Sequence, residues 1–404
     1  MAARHGGAFA LVALCLLELA LRGAGAGDGE PLVPAMFVFG DSTVDVGNNN
    51  FLPGCSADCR ANYARYGVDY PSHAPTGRFS NGYNLADHIA RFLGFAESPP
   101  AYGSLPPEGI IEQMRSGINF ASGGSGLQDV TGKALVRTTK RFALANSSRY
   151  TPVKISLSRL SPCVQCGQVH SMSDQLDMFA SVVQMMGNCS SDLVSRSLVF
   201  ISVGSNDLFE YVGGNATSCP NRNDTAFLQG LVAAYRSYLQ ELYAAGARKF
   251  SIVSPSLVGC CPSQRFAGWL KDDLDGYYCF GTANSLSRQL YRMLLSILQD
   301  LSAGLADMNF SICDSAAMAD SVFNSTVSAP DTMNVVDTGC CGGAGILGPA
   351  KCDRSATLCP DRAAYLFWDG FHPTETASAV AALALFADSG RYVHPINITR
   401  LAAL

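Results

Sequence analysis

Two short stretches at opposite ends of this chain carry residue types that together perform nucleophilic chemistry. Near the start, Phe39-Gly40-Asp41-Ser42-Thr43 follows the apolar run Ala35-Met36-Phe37-Val38. A glycine and then a serine at the point where a buried strand gives way to a tight turn lift a hydroxyl clear of its sheet. Near the other end, Trp368-Asp369-Gly370-Phe371-His372-Pro373-Thr374 sets an acid and a histidine three residues apart. A serine that reacts near neutral pH needs a base within hydrogen-bond reach, and that base needs an acceptor to fix its tautomer. Ser42, His372 and Asp369 are the candidates for the three roles, and the Asp-x-x-His spacing lets the carboxylate reach Nδ1 within one turn. Taken alone, Asp-x-x-His reads as a surface turn with a capping acid, so the argument rests on the two stretches together.

Such residues need a frame to bring them into contact. Short apolar runs recur at Met36 to Phe39, Ile118 to Ala121, Leu198 to Val203, Phe250 to Val253 and Asn334 to Val336. Runs apolar on both faces suit buried parallel strands. Between them lie amphipathic stretches, the clearest with Leu228, Leu231, Val232, Tyr235, Leu239 and Leu242 at helical spacing, ended by Gly246. Others run about Asn84 to Phe92, Asp174 to Met186, Leu286 to Ser302 and Glu375 to Phe386; the loop from Asp129 to Cys166 is left unassigned. Alternating strands and helices predict an α/β layer fold with a mostly parallel sheet. Ligands in such sheets sit beyond the carboxyl ends of the strands, where each candidate segment falls.

Residues 1–26 place Arg4 and His5 before an apolar stretch from Ala8 to Leu21 and close on Ala24-Gly25-Ala26, the pattern of a secretory leader. A single domain over 27–404 is expected after its removal, since no Pro/Ser-rich or charged linker divides the chain. No segment offers the roughly 20 uninterrupted apolar residues of a membrane anchor. Without Arg4, Arg22 and Glu18 of the leader the balance is 26 basic to 32 acidic residues, and no basic run points to nucleic acid. The 48% hydrophobic content allows a large core.

Of the 15 cysteines, 14 follow the leader, and seven Asn-x-Ser/Thr acceptors (Asn146, Asn188, Asn215, Asn223, Asn309, Asn324 and Asn397) accompany them. Both features suit an oxidising, exported setting. Cys163 and Cys166 have zinc-ligand spacing, with Cys352 and Cys359 as an imaginable second half, but disulfides are the expected state and no metal or cofactor is expected. The neighbours Cys260-Cys261 and Cys340-Cys341 are expected to pair with distant partners, because bonding adjacent cysteines strains the backbone.

Six ordered segments resemble the plant GDSL-type esterases/lipases of the SGNH hydrolase superfamily. They are Phe39 to Asn50, Pro75 to Gly82, Ile118 to Leu127, Val203 to Asp207, Cys340-Cys341-Gly342 and Asp369 to Glu375. The resemblance implies a flavodoxin-like three-layer α/β/α sandwich, with Ser42 as nucleophile and Asp369 and His372 completing a triad. It also implies an oxyanion hole made of the backbone N–H groups of Ser42 and Gly124 and the side-chain amide of Asn206, with Gly123 and Gly126 as alternatives to Gly124. Thr43 stands where the family carries leucine. Asp41, Asp45 and Asn48-Asn49-Asn50 are read as braces for the turn, and Arg78 and Phe79 as packing residues. His73, His88, His170 and His394 are assigned no role.

The expected function is a secreted esterase, extracellular or in the cell wall, whose substrate is an acetylated polysaccharide or a lipid or cutin-type ester. Two other readings share the frame: an acyltransferase using the same acyl-enzyme, and a non-catalytic binding protein that keeps the fold.

Overall fold

The computed structural model describes residues 30–133, 166–187, 190–213, 223–325, 333–343 and 352–404. The leader, Cys163, and the acceptors Asn146, Asn188 and Asn215 lie outside them, as does most of the unassigned loop.

Among the described residues, seven strands run β1 (Met36–Gly40), β2 (Leu198–Ser202), β3 (Lys249–Val253), β4 (Asn309–Cys313), β5 (Val335–Gly339), β6 (Tyr365–Phe367) and β7 (Val393–Pro395). The helices longer than one turn are α1 (Leu85–Phe92), α2 (Ile110–Met114), α3 (Met172–Met186), α4 (Ser190–Arg196), α5 (Ser205–Gly213), α6 (Asp224–Ala244), α7 (Pro262–Leu270), α8 (Gly281–Gly304), α9 (Ser315–Ser325), α10 (Glu375–Ala387) and α11 (Ile398–Ala402). The main sheet has the order β1-β2-β3-β4-β7. Its first four strands are parallel and in step, with Met36 beside Leu198, Leu198 beside Lys249 and Lys249 beside Asn309; β7 closes the edge antiparallel.

Strand periodicity sends alternate residues of β1 into two different cores. Phe37 and Phe39 pack with Val199, Ile201, Phe250 and Ile252 against Phe179 of α3, Leu231 and Tyr235 of α6 and Leu290 of α8. Met36 and Val38 pack with Leu198 and Phe200 against Leu85 and Ile89 of α1, Leu385 of α10 and Leu401 of α11. Helices therefore cover both faces of a central, mostly parallel sheet, the three-layer arrangement that the family resemblance implies.

Three strand expectations change. Residues 118–121 form no assigned strand. The segment enters at Gly117, whose φ of +111 lets its backbone lie against Met36, where a Cβ would come within 2.0 Å of the carbonyl oxygen. It then runs beside β1 through Val38 N–H to Ile118, Phe120 N–H to Val38 and Ser122 N–H to Gly40 and leaves at Gly123-Gly124. Second, β5 is outside the main sheet and pairs with β6 in a two-stranded sheet of its own. Third, β4 is a fourth parallel strand that the apolar runs did not include, although its Asn-Phe-Ser-Ile-Cys repeats the polar and apolar order of Lys-Phe-Ser-Ile-Val in β3.

Among the described residues, four disulfides join Cys59–Cys166, Cys260–Cys279, Cys340–Cys359 and Cys341–Cys352. Cys166, Cys352 and Cys359, weighed above as metal ligands, thus have their sulfurs in disulfides. Cys340 and Cys341 do pair elsewhere, but with residues only 19 and 11 positions away. The expectation fails at Cys261, a buried thiol. It stands before α7 with Sγ 3.5 Å from the Phe371 carbonyl oxygen, and burial pushes it up to about 12.

Candidate active site

The turn after β1 is built from backbone outward. Gly40 has φ +143, and a Cβ there would come within 2.0 Å of the Ser202 carbonyl oxygen, so the chain turns where only glycine fits. Asp41 N–H then donates to that carbonyl at 3.0 Å. The Asp41 carboxylate accepts from Thr43 N–H at 3.0 Å and Thr43 Oγ1 at 2.7 Å, folding the turn around Ser42. Thr43 Oγ1 also lies 2.9 Å from Ser202 Oγ, so the threonine ties the turn to β2 in a way leucine could not. Burial pushes the Asp41 carboxyl up to about 6, against the Thr43 hydrogen bonds and the nearby His372.

Ser42 is 8% exposed, and its Oγ lies 2.8 Å from His372 Nε2. His372 Nδ1 lies 2.8 Å from Asp369 Oδ2 and 3.0 Å from Oδ1. A tight loop makes the last pair: Trp368 N–H donates to the His372 carbonyl at 2.7 Å, while Phe371 and His372 N–H donate to Asp369 Oδ1 at 2.8 and 2.9 Å. Burial alone would raise the Asp369 carboxyl, but the facing His372 and these hydrogen bonds outweigh it and hold the group below the usual carboxylate range. Phe79 covers the imidazole with its ring 4.8 Å away.

The loop itself is anchored from several directions. It follows β6, whose end is tied to the disulfide pair by Cys340 N–H to Phe367 and Cys341 N–H to Trp368. Ser263 N–H, at the start of α7, donates to the Gly370 carbonyl at 3.0 Å. Thr374 caps α10 directly behind His372 by accepting from Ala377 N–H at 3.2 Å.

A second loop faces this centre. Asp45 Oδ2 accepts Gly123 N–H at 2.9 Å, while Asp45 Oδ1 accepts Gly47 and Asn48 N–H. Asn48 Nδ2 donates to the Asn119 and Ala121 carbonyls and Asn49 Nδ2 to those of Cys59 and Gly123. These side chains lash the Ile118 to Gly124 segment to the serine turn. Gly124 has φ +88, and a Cβ would meet Cys166 Sγ at 2.5 Å. The N–H groups of Ser42 and Gly124 have no acceptor among the described residues. Asn206, in the first turn of α5 after β2, donates one side-chain N–H to the Ser125 carbonyl at 2.8 Å.

Arg78 forms a buried fork to Asp87, at 2.7 and 2.8 Å, which holds the loop before α1. Of the histidines without a role, His88 is buried, and burial pushes it down to about 4. Sequence reasoning missed two residues. Tyr66, buried among Tyr63, Phe79 and Trp368, donates its hydroxyl to Asp369 Oδ2 at 2.8 Å across 303 residues. Gln175, wholly buried on α3, hydrogen-bonds both the N–H and the carbonyl of Gly40. The one signal for Gln175 is a polar residue among Met172, Leu176, Phe179 and Val182 on the buried face of the helix.

Comparison with known proteins agrees with these motifs. The family model described as GDSL-like Lipase/Acylhydrolase matches residues 36–385. A GDSL esterase/lipase of Arabidopsis thaliana is 35% identical over 379 residues, covering 93% of this chain and 87% of the relative. Two more from the same plant are 33% and 32% identical, each over 92% or more of both chains. The chain belongs to the GDSL-like lipase/acylhydrolase family, and with it to the carboxylic ester hydrolases.

Proposed function

We propose that the protein is an exported serine esterase that works through an acyl-enzyme. Ser42 Oγ attacks the ester carbonyl as His372 Nε2 takes its proton. The tetrahedral intermediate collapses, the alcohol leaves with that proton, and the acyl group stays on Ser42. Water then attacks with His372 again as base, and the free acid departs. Asp369 holds the imidazole tautomer and stabilises the imidazolium. The reading is carried by one observation, the unbroken chain of 2.8 Å contacts from Ser42 Oγ through both ring nitrogens of His372 to Asp369 Oδ2.

The oxyanion hole comprises the N–H groups of Ser42 and Gly124 and the amide of Asn206. Gly124 is preferred to Gly123 because the latter already donates to Asp45, and a donor already engaged cannot meet developing charge. The disulfides support a leader over 1–26, a mature single domain over 27–404, and an extracellular or cell-wall location. The substrate is an acetyl ester of polysaccharide or a lipid or cutin-type ester.

Purified wild type and Ser42→Ala assayed on a short-chain ester, a long-chain ester and acetylated xylan test mechanism and substrate together. Turnover in Ser42→Ala is expected to fall at least a thousandfold with folding unchanged; turnover near the wild-type rate would overturn the nucleophile assignment.

A further inference from the structure

We infer that Gln175 is a positioning residue that sets the oxyanion hole by clamping the end of the nucleophile strand to the glycine loop. The inference rests on the triad reading above and extends it to a helix 135 residues from the serine turn. Gln175 Oε1 accepts Gly40 N–H at 2.8 Å, and Nε2 donates to the Gly40 carbonyl at 2.9 Å. A single carboxamide thus holds both polar groups of the residue two before Ser42. Nε2 also lies 3.2 Å from Ser125 Oγ and 3.0 Å from the His170 carbonyl oxygen.

Ser125 follows Gly124, and its carbonyl accepts the Asn206 amide at 2.8 Å. Each of the three proposed donors to the oxyanion therefore lies within two residues of, or is hydrogen-bonded to, a residue that Gln175 touches: Ser42 through Gly40, Gly124 through Ser125, and Asn206 through the Ser125 carbonyl. The hole's two backbone donors come from separate loops whose direct backbone tie nearby is Ser122 N–H to the Gly40 carbonyl, at 3.0 Å. Gln175 bonds that same carbonyl from α3, and an aliphatic side chain could not replace it. Preorganised donors act only if they sit where charge develops, and a displacement of about 1 Å can cost on the order of a hundredfold in rate.

Gln175→Met keeps the volume and removes every hydrogen bond. Its kcat, per active site titrated with a fluorophosphonate, is expected to fall at least tenfold with KM within about twofold, and the rate of Ser42 phosphonylation should fall in parallel. A variant that merely loosens the fold would melt earlier yet retain kcat per titrated site within twofold of wild type, and that result overturns the proposal. If Gln175→Met does not fold, Gln175→Glu serves: it keeps an acceptor for Gly40 N–H, loses the amide donors, and is expected to show the same split. Failure of the triad reading would be seen elsewhere, as turnover persisting in Ser42→Ala.

Discussion

At the scale of single residues, the reaction centre depends on how each polar atom is already engaged. Asp369 receives two backbone N–H groups on Oδ1, while Oδ2 is shared by His372 Nδ1 and the Tyr66 hydroxyl. Tyr66→Phe removes one hydrogen bond to a buried carboxylate and leaves the ring packing intact. Such bonds are worth about 1.5–3 kcal/mol. With that donor gone the Asp369 carboxylate acts more strongly on the imidazolium it faces, so the acid limb of the kcat/KM profile, set by protonation of the base, should shift to higher pH. A profile superimposable on wild type would remove Tyr66 from the relay. Ser42, Asp369 and His372 were legible in the sequence because each sits in a compact local pattern. Tyr66 and Gln175 were not, because their significance is created by contacts 303 and 135 residues away. Neither has a neighbour in sequence that announces it.

Among elements, the apolar strands and amphipathic helices were readable because periodicity is a local property of the chain. Where it failed, tertiary context decided. Ile118 to Ala121 is apolar enough for a strand, yet glycines at both ends release it from β1 after a few bonds. Strand β4 repeats the alternation of β3, with Ser311 registered beside Ser251 and both buried, so the same local signal was present at both strands. The loop that carries Asp369 and His372 presents another feature that spacing alone does not reveal: Cys340–Cys359 and Cys341–Cys352 staple the segment that feeds β6 and then Asp369. Closing an 11-residue loop stabilises a fold by about 2–3 kcal/mol. Replacing Cys341 and Cys352 together by serine should lower the melting temperature by several degrees and also reduce kcat, since the Trp368 carbonyl is held by Cys341 N–H. Thermal melts and steady-state assays on the same preparation check both effects; lower stability with full kcat would separate the staple from catalysis.

Over the whole molecule, buried titratable groups predict how stability depends on pH. Burial pushes Asp41 and Asp45 up to about 6 and Glu375 up to about 7. A carboxyl raised by folding binds its proton more tightly in the folded than in the unfolded chain. Its contribution is complete below about 4 and is lost as pH rises through 6–7. His88, pushed down to about 4, acts oppositely, costing stability as pH falls below 6.5. Burial also raises Asp207 and Glu210 and lowers His170; five carboxyls displaced upward outweigh two imidazoles displaced downward among the described residues, so stability should decline between pH 5 and pH 7.5. Glu375→Gln should flatten that decline in a series of melts across this range; an unchanged slope would count against Glu375 as a contributor.

The two ends of the catalytic contact are 330 residues apart in the chain. On the proposed reading, Ser42 gains its base only when the chain between the two residues has folded back on itself. Turnover recovered on refolding would therefore report a long-range closure that the formation of β1 alone does not bring about.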